Sequence, residues 1–416
     1  MMKKQLIPQL RFPDFLDNWK VQQIKNIAKV IGGGTPSTTV ANYWNGEINW
    51  FTPTEIKYNS VSQSKRKITS LGLNKSSATI LPIGTILLTT RATIGEVAIA
   101  EEECTTNQGF QSLVVNSQNF NQFVFDLIKV NKHQLYKKAN GSTFKEVSKK
   151  EIEKIKVLIP SLKEQQKIAS FLTDVDLKIT QLTEKKALLE NYKKGIMQQI
   201  FSQEIRFKDD DGGAFPDWVE KKIQKLLDEK GILGILDGNH GELYPKSDEF
   251  TKEGIPYIAA NNLVNGNVDF TKCKRIPFQR ASKFKKGIAI DGDVLFAHNA
   301  TVGPTALLNT ELEYVILSTT VTYYRCDNQR LLNTYLLYCF NSDYFIKQYS
   351  RVMSQSTRNQ VPITMQKKFL IKLPCLKEQT KIANFLSDID TKIEVLTSSI
   401  SKAKTFKKGL LQQMFV

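Results

Sequence analysis

The residues best suited to nucleophilic, acid–base or zinc chemistry in this 416-residue chain are three histidines, His133, His240 and His298, and five cysteines, Cys104, Cys273, Cys326, Cys339 and Cys375. A zinc centre needs such ligands at short fixed intervals, and an activated nucleophile needs a base within reach. Here the histidines lie far apart in no ligand pattern, and no cysteine pair has C-x-x-C spacing. Neither a metal centre nor a Ser-His-Asp arrangement is indicated. Pro216 and Asp217, followed by Asp228 and Lys230, outline a nuclease site in which two carboxylates hold a divalent cation. That outline straddles an acidic linker, and Pro13 and Asp14, in the corresponding earlier stretch, have no acid-x-lysine after them. The glycine run in "IGGGTPST" (Ile31 to Thr38) lacks the lysine of a phosphate-binding loop, and no G-x-G-x-x-G dinucleotide fingerprint occurs. The expectation is a chain that binds and does not catalyse, with no cofactor or metal of its own.

What it binds is suggested by charge. Lysine and arginine total 58 against 41 aspartates and glutamates, a formal charge of +17. Such an excess points to a polyanion, with nucleic acid first. Individual basic tracts, such as Lys65, Arg66 and Lys67 or Lys272, Lys274 and Arg275, read equally well as solvated surface. Scattered cysteines, odd in number, suit reduced thiols, and the N-terminal "MMKKQLIPQLRFPDF" lacks the apolar run of a signal peptide. A soluble cytoplasmic protein is expected.

The elements that would position a binding surface show themselves as a repeat. Shifted by 214 residues, Pro160 to Phe201 aligns without a gap on Pro374 to Phe415, with about half the residues identical. Both copies carry P-x-L-K-E-Q-x-K-I-A-x-F-L-x-D-x-D-x-K-I and end in K-K-G, two apolar residues and Q-Q. Ile168, Leu172, Val175, Ile179, Leu182 and Leu189 in the first copy fall on a heptad, as do Ile382, Leu386, Ile389, Ile393, Leu396 and Ile400 in the second. Each stretch predicts a helix of about forty residues, about 60 Å long. Neither can bury its stripe alone, so the two are expected to zip together as a coiled coil. The Lys-Lys-Gly of each copy reads either as a fraying point with a partner-facing basic pair or as a plain solvated terminus.

The duplication extends upstream. "GTILLTTRATIGEVAIA" (Gly84 to Ala100) matches "GDVLFAHNATVGPTALL" (Gly292 to Leu308), and "FPDF" at Phe12 answers "FPDW" at Phe215. Short runs such as Ile86 to Thr90, Leu113 to Asn116, Val294 to Ala297 and Val321 to Tyr324, set between Gly, Asn and Pro turns, predict strands. "FVFDLIKVNKHQLYKKA" and "LLNTYLLYCFNSDYFIKQYS" predict helical patches at matching places. The expected fold class is α/β (α+β): two related domains joined by two long helices, with boundaries at 1–160, 161–205, 206–373 and 374–416.

The quoted helices, "IPSLKEQQKIASFL" and "LPCLKEQTKIANFL", each ending in K-K-G-(I/L)-(M/L)-Q-Q, resemble those of the specificity subunit of type I restriction-modification systems. "YWNGEINWFTPTEI" (Tyr43 to Ile56), "TTRATIGEVAI" and "CTTNQGFQSL" (Cys104 to Leu113) look like that family's target recognition domain. The second domain departs more, with "GILDGNHGELYPKSDEF" in place of the G-G-T-P-S opening, but "GIPYIAANNLVNGNV" and "HNATVGPTALL" keep the family character. The resemblance covers essentially the whole chain. It implies a non-catalytic, sequence-specific DNA-binding subunit whose two domains read the halves of a bipartite site. The two helices would form an antiparallel coiled coil that sets the spacer and docks two methyltransferase subunits, and restriction-translocase subunits would join the full complex. S-adenosylmethionine, ATP and magnesium would belong to those partners.

Base edges in the major groove are read best by Arg, Lys, Asn and Gln. Candidates in the first domain are Lys65, Arg66, Arg91, Asn107, Gln108 and Gln111. In the second they are Lys274, Arg275, His298, Asn299, Arg351, Gln355, Arg358 and Asn359. Ser142 and Thr143, which answer Ser356 and Thr357, suit a shared backbone or phosphate role. Two other classes fit the charge and the duplication: a nucleic-acid-binding scaffold outside restriction-modification, and a specificity module fused to nuclease or methylase activity.

Overall fold

The computed structural model describes residues 7–139, 145–238, 244–355 and 359–415. The chain divides into two compact units, Met1–Thr183 with Ser398–Val416, and Glu184–Thr397. The central helix, Leu162–Ser202, gives its first half to the first unit and its second half to the second; the C-terminal helix, Leu376–Met414, does the reverse. The compact units therefore cut through both helices, where the sequence suggested domain ends at the helix starts.

In the first unit a five-stranded sheet runs in the order Ala28–Gly32, Gln111–Val115, Ile86–Leu88, Val97–Ala100, Ser60–Val61. A second sheet places Trp44–Phe51 between Arg66–Ile68, antiparallel, and Cys104–Thr106, parallel. The helix Asn121–Val130 buries Phe123, Val124, Leu127 and Ile128, and the shorter Lys132–Lys138 follows it. The core they share includes Trp19, the start of the central helix (Ile168, Ala169, Leu172) and the end of the C-terminal helix (Leu410, Met414, Phe415). Apolar stripes on two helix segments are thus covered by one another and by the sheet domain.

The second unit repeats the plan. Of its two four-stranded sheets, one runs Ile232–Asp237, Val321–Cys326, Val294–Asn299, Thr301–Leu307, and the other Lys274–Ile276, Ile255–Ile258, Val315–Leu317, Ile288–Ala289. Again the middle strand pairs antiparallel on one side and parallel on the other. Helices Asn333–Phe340 and Asp343–Ser354 take the places of the earlier pair. Met197, Ile200 and Phe201 join Ile382, Ala383, Leu386 and Ile389 in its core.

The repeated P-x-L-K-E-Q motif has a packing explanation. Glu164 is 2% exposed, and it accepts from Arg11 Nε at 2.7 Å, Arg11 Nη2 at 2.8 Å and Trp19 Nε1 at 3.1 Å. Its repeat mate Glu378, wholly buried, accepts from Arg206 at 3.2 and 2.9 Å and Trp218 Nε1 at 2.9 Å. A buried carboxylate is tolerated only when paired and hydrogen-bonded, and both are. The following glutamines close the neighbouring chain: Gln165 Oε1 accepts from Phe120 N, and Gln379 Oε1 from Leu332 N, each at 2.9 Å.

Two contacts of Phe12 are shared out in the second repeat. Phe12 packs edge-on against Phe171 as Phe207 packs against Phe385, whereas Lys167 lies over Phe12 as its repeat mate Lys381 lies over Phe215, in keeping with the F-P-D match. The N-terminal segment follows the C-terminal helix in space as residues 205–218 follow the central helix in sequence. Leu10 N donates to Gln413 O at 2.9 Å, and Ile205 N to Gln199 O at 3.2 Å.

Within the first unit Asp176 binds Lys407 Nζ at 2.7 and 2.6 Å; within the second Asp390 binds Lys193 Nζ at 2.6 and 2.7 Å. The two pairs are the same repeat positions with the helices exchanged, as two antiparallel segments require. They also correct the reading of Lys-Lys-Gly as a fraying end. Both helices continue past Gly195 and Gly409, and the first lysine of each triplet turns inward to a carboxylate. Of the heptad residues, Ile168, Leu172, Ile382, Leu386, Ile389, Leu396 and Ile400 are buried, whereas Val175, Ile179, Leu182, Leu189 and Ile393 are half-buried.

Candidate nucleic-acid interface

In the first unit the glycine run is a packing device. A Cβ on Gly33 would stand 1.9 Å from Asn107 O, and Gly34 N donates to Thr106 O at 2.8 Å while its carbonyl accepts from Trp50 Nε1 at 2.8 Å. Only glycine permits that approach. It brings Thr35 beside Gln108, whose Oε1 accepts from Thr35 Oγ1 at 2.6 Å. Gln108 is exposed and Asn107 half-buried, its Oδ1 accepting from Gly109 N at 2.9 Å, so that Asn107 also shapes this turn. Gln111 lies along Gly32, its Oε1 buried and without a hydrogen-bond partner among the described residues.

Lys65 and Arg66 stand at the edge of the smaller sheet. Lys65 is exposed, and its backbone N donates to Glu55 Oε1 at 2.7 Å. The Arg66 guanidinium lies 3.6 Å from the Trp44 ring centroid, a cation–π contact that holds the charge flat on the surface. In the second unit Lys274 takes the equivalent place, 4.6 Å from the Phe250 ring, while Arg275 is engaged by Gly254 O at 3.0 Å.

The matching A-T-x-G stretches form hairpins whose alanines sit in left-handed backbone, Ala92 at φ 59° and Ala300 at φ 63°. Alanine there is strained by about 1–2 kcal/mol, and such strain gathers at functional positions. Arg91 and Asn299 immediately precede these alanines. Arg91 is exposed and bound to Glu146 at 2.9 Å. Asn299 faces Gln360 through an antiparallel bridge, and Ala300 N donates to Asn359 O at 3.1 Å. Asn359 is exposed there, and Arg351 and Gln355 are exposed at the end of the helix Asp343–Ser354. His298 is corrected: only 2% exposed, inside the strand Val294–Asn299, it cannot reach a groove. Ser142, Thr143, Ser356, Thr357 and Arg358 lie outside the described residues.

Several contributors escaped the sequence reading. Glu146 and Gln360 carry no motif; only the register against the hairpins reveals them. Thr35 and Trp44 acquire their roles from the glycine approach and the sheet edge. The nuclease outline is not assembled: Asp217 is exposed beside Arg206, and Asp228 accepts from Gln224 Nε2 at 2.9 Å. Among the described residues no group of three or more His, Cys, Asp or Glu is placed to hold a metal, and no helix is long and apolar enough to cross a membrane.

The sequence profile of the type I restriction modification DNA specificity domain matches residues 16–191 and 227–405. The chain belongs to this family. As a specificity subunit of type I restriction-modification it carries two target recognition domains, one per matched segment. The specificity subunit of the type I restriction enzyme MjaIX from Methanocaldococcus jannaschii is 34% identical over 255 residues, covering 60% of this chain and 59% of that relative's length. That of MjaVIII, from the same organism, is 24% identical over 411 residues, 97% of this chain and 92% of the relative. The crystal structure of a type I restriction-modification S subunit from M. genitalium matches with a TM-score of 0.61 at 14% identity, covering 99% of both chains, and so shares the fold.

Proposed function

We propose that this specificity subunit reads a bipartite, asymmetric site in duplex DNA, one half per recognition domain, with the paired helices setting the unread spacer and docking methyltransferase subunits. The duplication carries this reading. The two units share the order of their central strands, the buried Glu-Arg-Trp anchor and the strained hairpin, yet differ in the polar side chains at the hairpin tips. Shared scaffold with divergent tips is what two readers of different sequences require. The formal charge of +17 supplies the attraction to phosphate. Methyl transfer and DNA cleavage reside on partner chains, which hold S-adenosylmethionine, ATP and magnesium. Selection of bound duplexes from a random pool by the chain assembled with its methyltransferase tests this. Two short motifs at a fixed gap are expected; a single contiguous motif, or none, would overturn it.

A further inference from the structure

The two hairpins share more than a backbone. Val147 N donates to Thr90 O at 3.3 Å, and Val361 N donates to His298 O at 2.8 Å. This register sets Arg91 opposite Glu146 and Asn299 opposite Gln360. Around these positions the backbone is held in common: a left-handed alanine follows, then threonine, an apolar residue and a positive-φ glycine, Gly95 or Gly303. What changes is the facing pair, and both members change in step, from arginine with a carboxylate to asparagine with a carboxamide.

We propose that this facing pair sets one base pair in each half-site: guanine through Arg91 held by Glu146, and adenine through Asn299 beside Gln360. The inference rests on the reading that the domains take one half-site each. Arginine presents two parallel N–H groups to guanine O6 and N7, and asparagine presents one acceptor and one donor to adenine N6 and N7. A guanidinium has five N–H donors, so the bond from Arg91 Nη2 to Glu146 leaves a fork free while fixing the orientation of the plane. Asn299 Oδ1 accepts from Ala300 N at 2.8 Å, which orients the amide; the second lone pair of that oxygen and the Nδ2 hydrogens are the two groups adenine needs. The strained alanine locks the Cα–Cβ direction of the preceding residue, so exchanging the side chains leaves their point of origin unchanged. Glu146 is a positioning residue, acting through Arg91.

The test is duplex selection by the full complex carrying R91N/E146Q, with N299R/Q360E in parallel and thermal melting of each variant as a control on folding. In the first half-site one position is expected to move from guanine to adenine by at least about tenfold, with the second half-site untouched; the reciprocal variant does the opposite. E146Q alone loosens the preference at that position, whereas a purely structural role would lower the melting temperature and weaken all sequences alike. An equal loss across sequences would reassign Arg91 to phosphate and overturn the proposal, as would an unchanged site. A wild type that selects a bipartite site while the exchanged pair selects the same one sinks this inference alone. A wild type with no bipartite site sinks the broader reading with it.

Discussion

Replacing Arg206 with alanine probes the buried carboxylate that joins the second domain to its helix. Glu378 has no exposed side-chain surface, and Arg206 supplies two of its three hydrogen-bond donors, at 3.2 and 2.9 Å. The substitution leaves the buried Glu378 carboxyl with Trp218 Nε1 alone. Removing one member of a fully buried pair costs about 3–5 kcal/mol. Arg206 keeps 23% of its side chain exposed, so water can enter the vacated space, and about 3 kcal/mol is the appropriate magnitude. For a unit of this size about 1 kcal/mol moves the melting temperature by roughly 2–4 °C, so a fall of roughly 6–12 °C is expected by circular dichroism. R206A, E378Q and the double variant should form a cycle with a coupling of at least about 1 kcal/mol. The exposed Lys225–Glu229 pair serves as comparison, since K225A should change stability by less than about 0.5 kcal/mol. A fall under about 1 °C in R206A, or additive effects in the cycle, would refute the account of the motif as an anchor.

Burial pushes the Asp126 carboxyl up to about 6, against the pull of Lys407 and Lys129. A carboxyl raised in the fold above its ordinary 3.8 contributes stability present below that value and lost as pH rises through about 6. D126N should therefore gain about 2–3 kcal/mol at neutral pH and flatten the dependence between pH 4 and 6 in denaturant titrations; an unchanged slope would count against it. G33A forces a methyl onto the Asn107 carbonyl, and should cost about 1–3 kcal/mol and weaken recognition at the first half-site only. Equal binding of both half-sites by G33A, measured by footprinting, would separate the glycine run from the interface.

The long helices were legible because a heptad repeated at a fixed offset is a global pattern, and because glycine is confined to one place near each helix end. Their inward lysines were not, since Lys193 and Lys407 find their aspartates only through packing against the other helix. The predicted strand Ile86 to Thr90 ends as a strand at Leu88, where Thr89 Oγ1 bonds the carbonyl of Thr93 and turns the hairpin. The patches before Asn140 and Arg351 each break into two helices, at Asn131 and around Asn341–Ser342. Among the candidate readers, side-chain type alone could not separate exposed Gln108 from the turn-forming Asn107 one residue away. Nor could it show that His298 points inward, because strand alternation depends on where the bulge between Phe296 and His298 falls.

In the proposed function, paired helices keep two readers of DNA a set distance apart. Inserting four residues into each long helix, after Thr183 and after Thr397, keeps the Asp176–Lys407 and Asp390–Lys193 pairs within their own units and adds about 6 Å. Mapping the methylated sites of the reconstituted complex should then show the same two half-sites with the gap longer by about two base pairs, at about 3.4 Å per pair. An unchanged gap in a folded, active variant would contradict the claim that the helices measure the site.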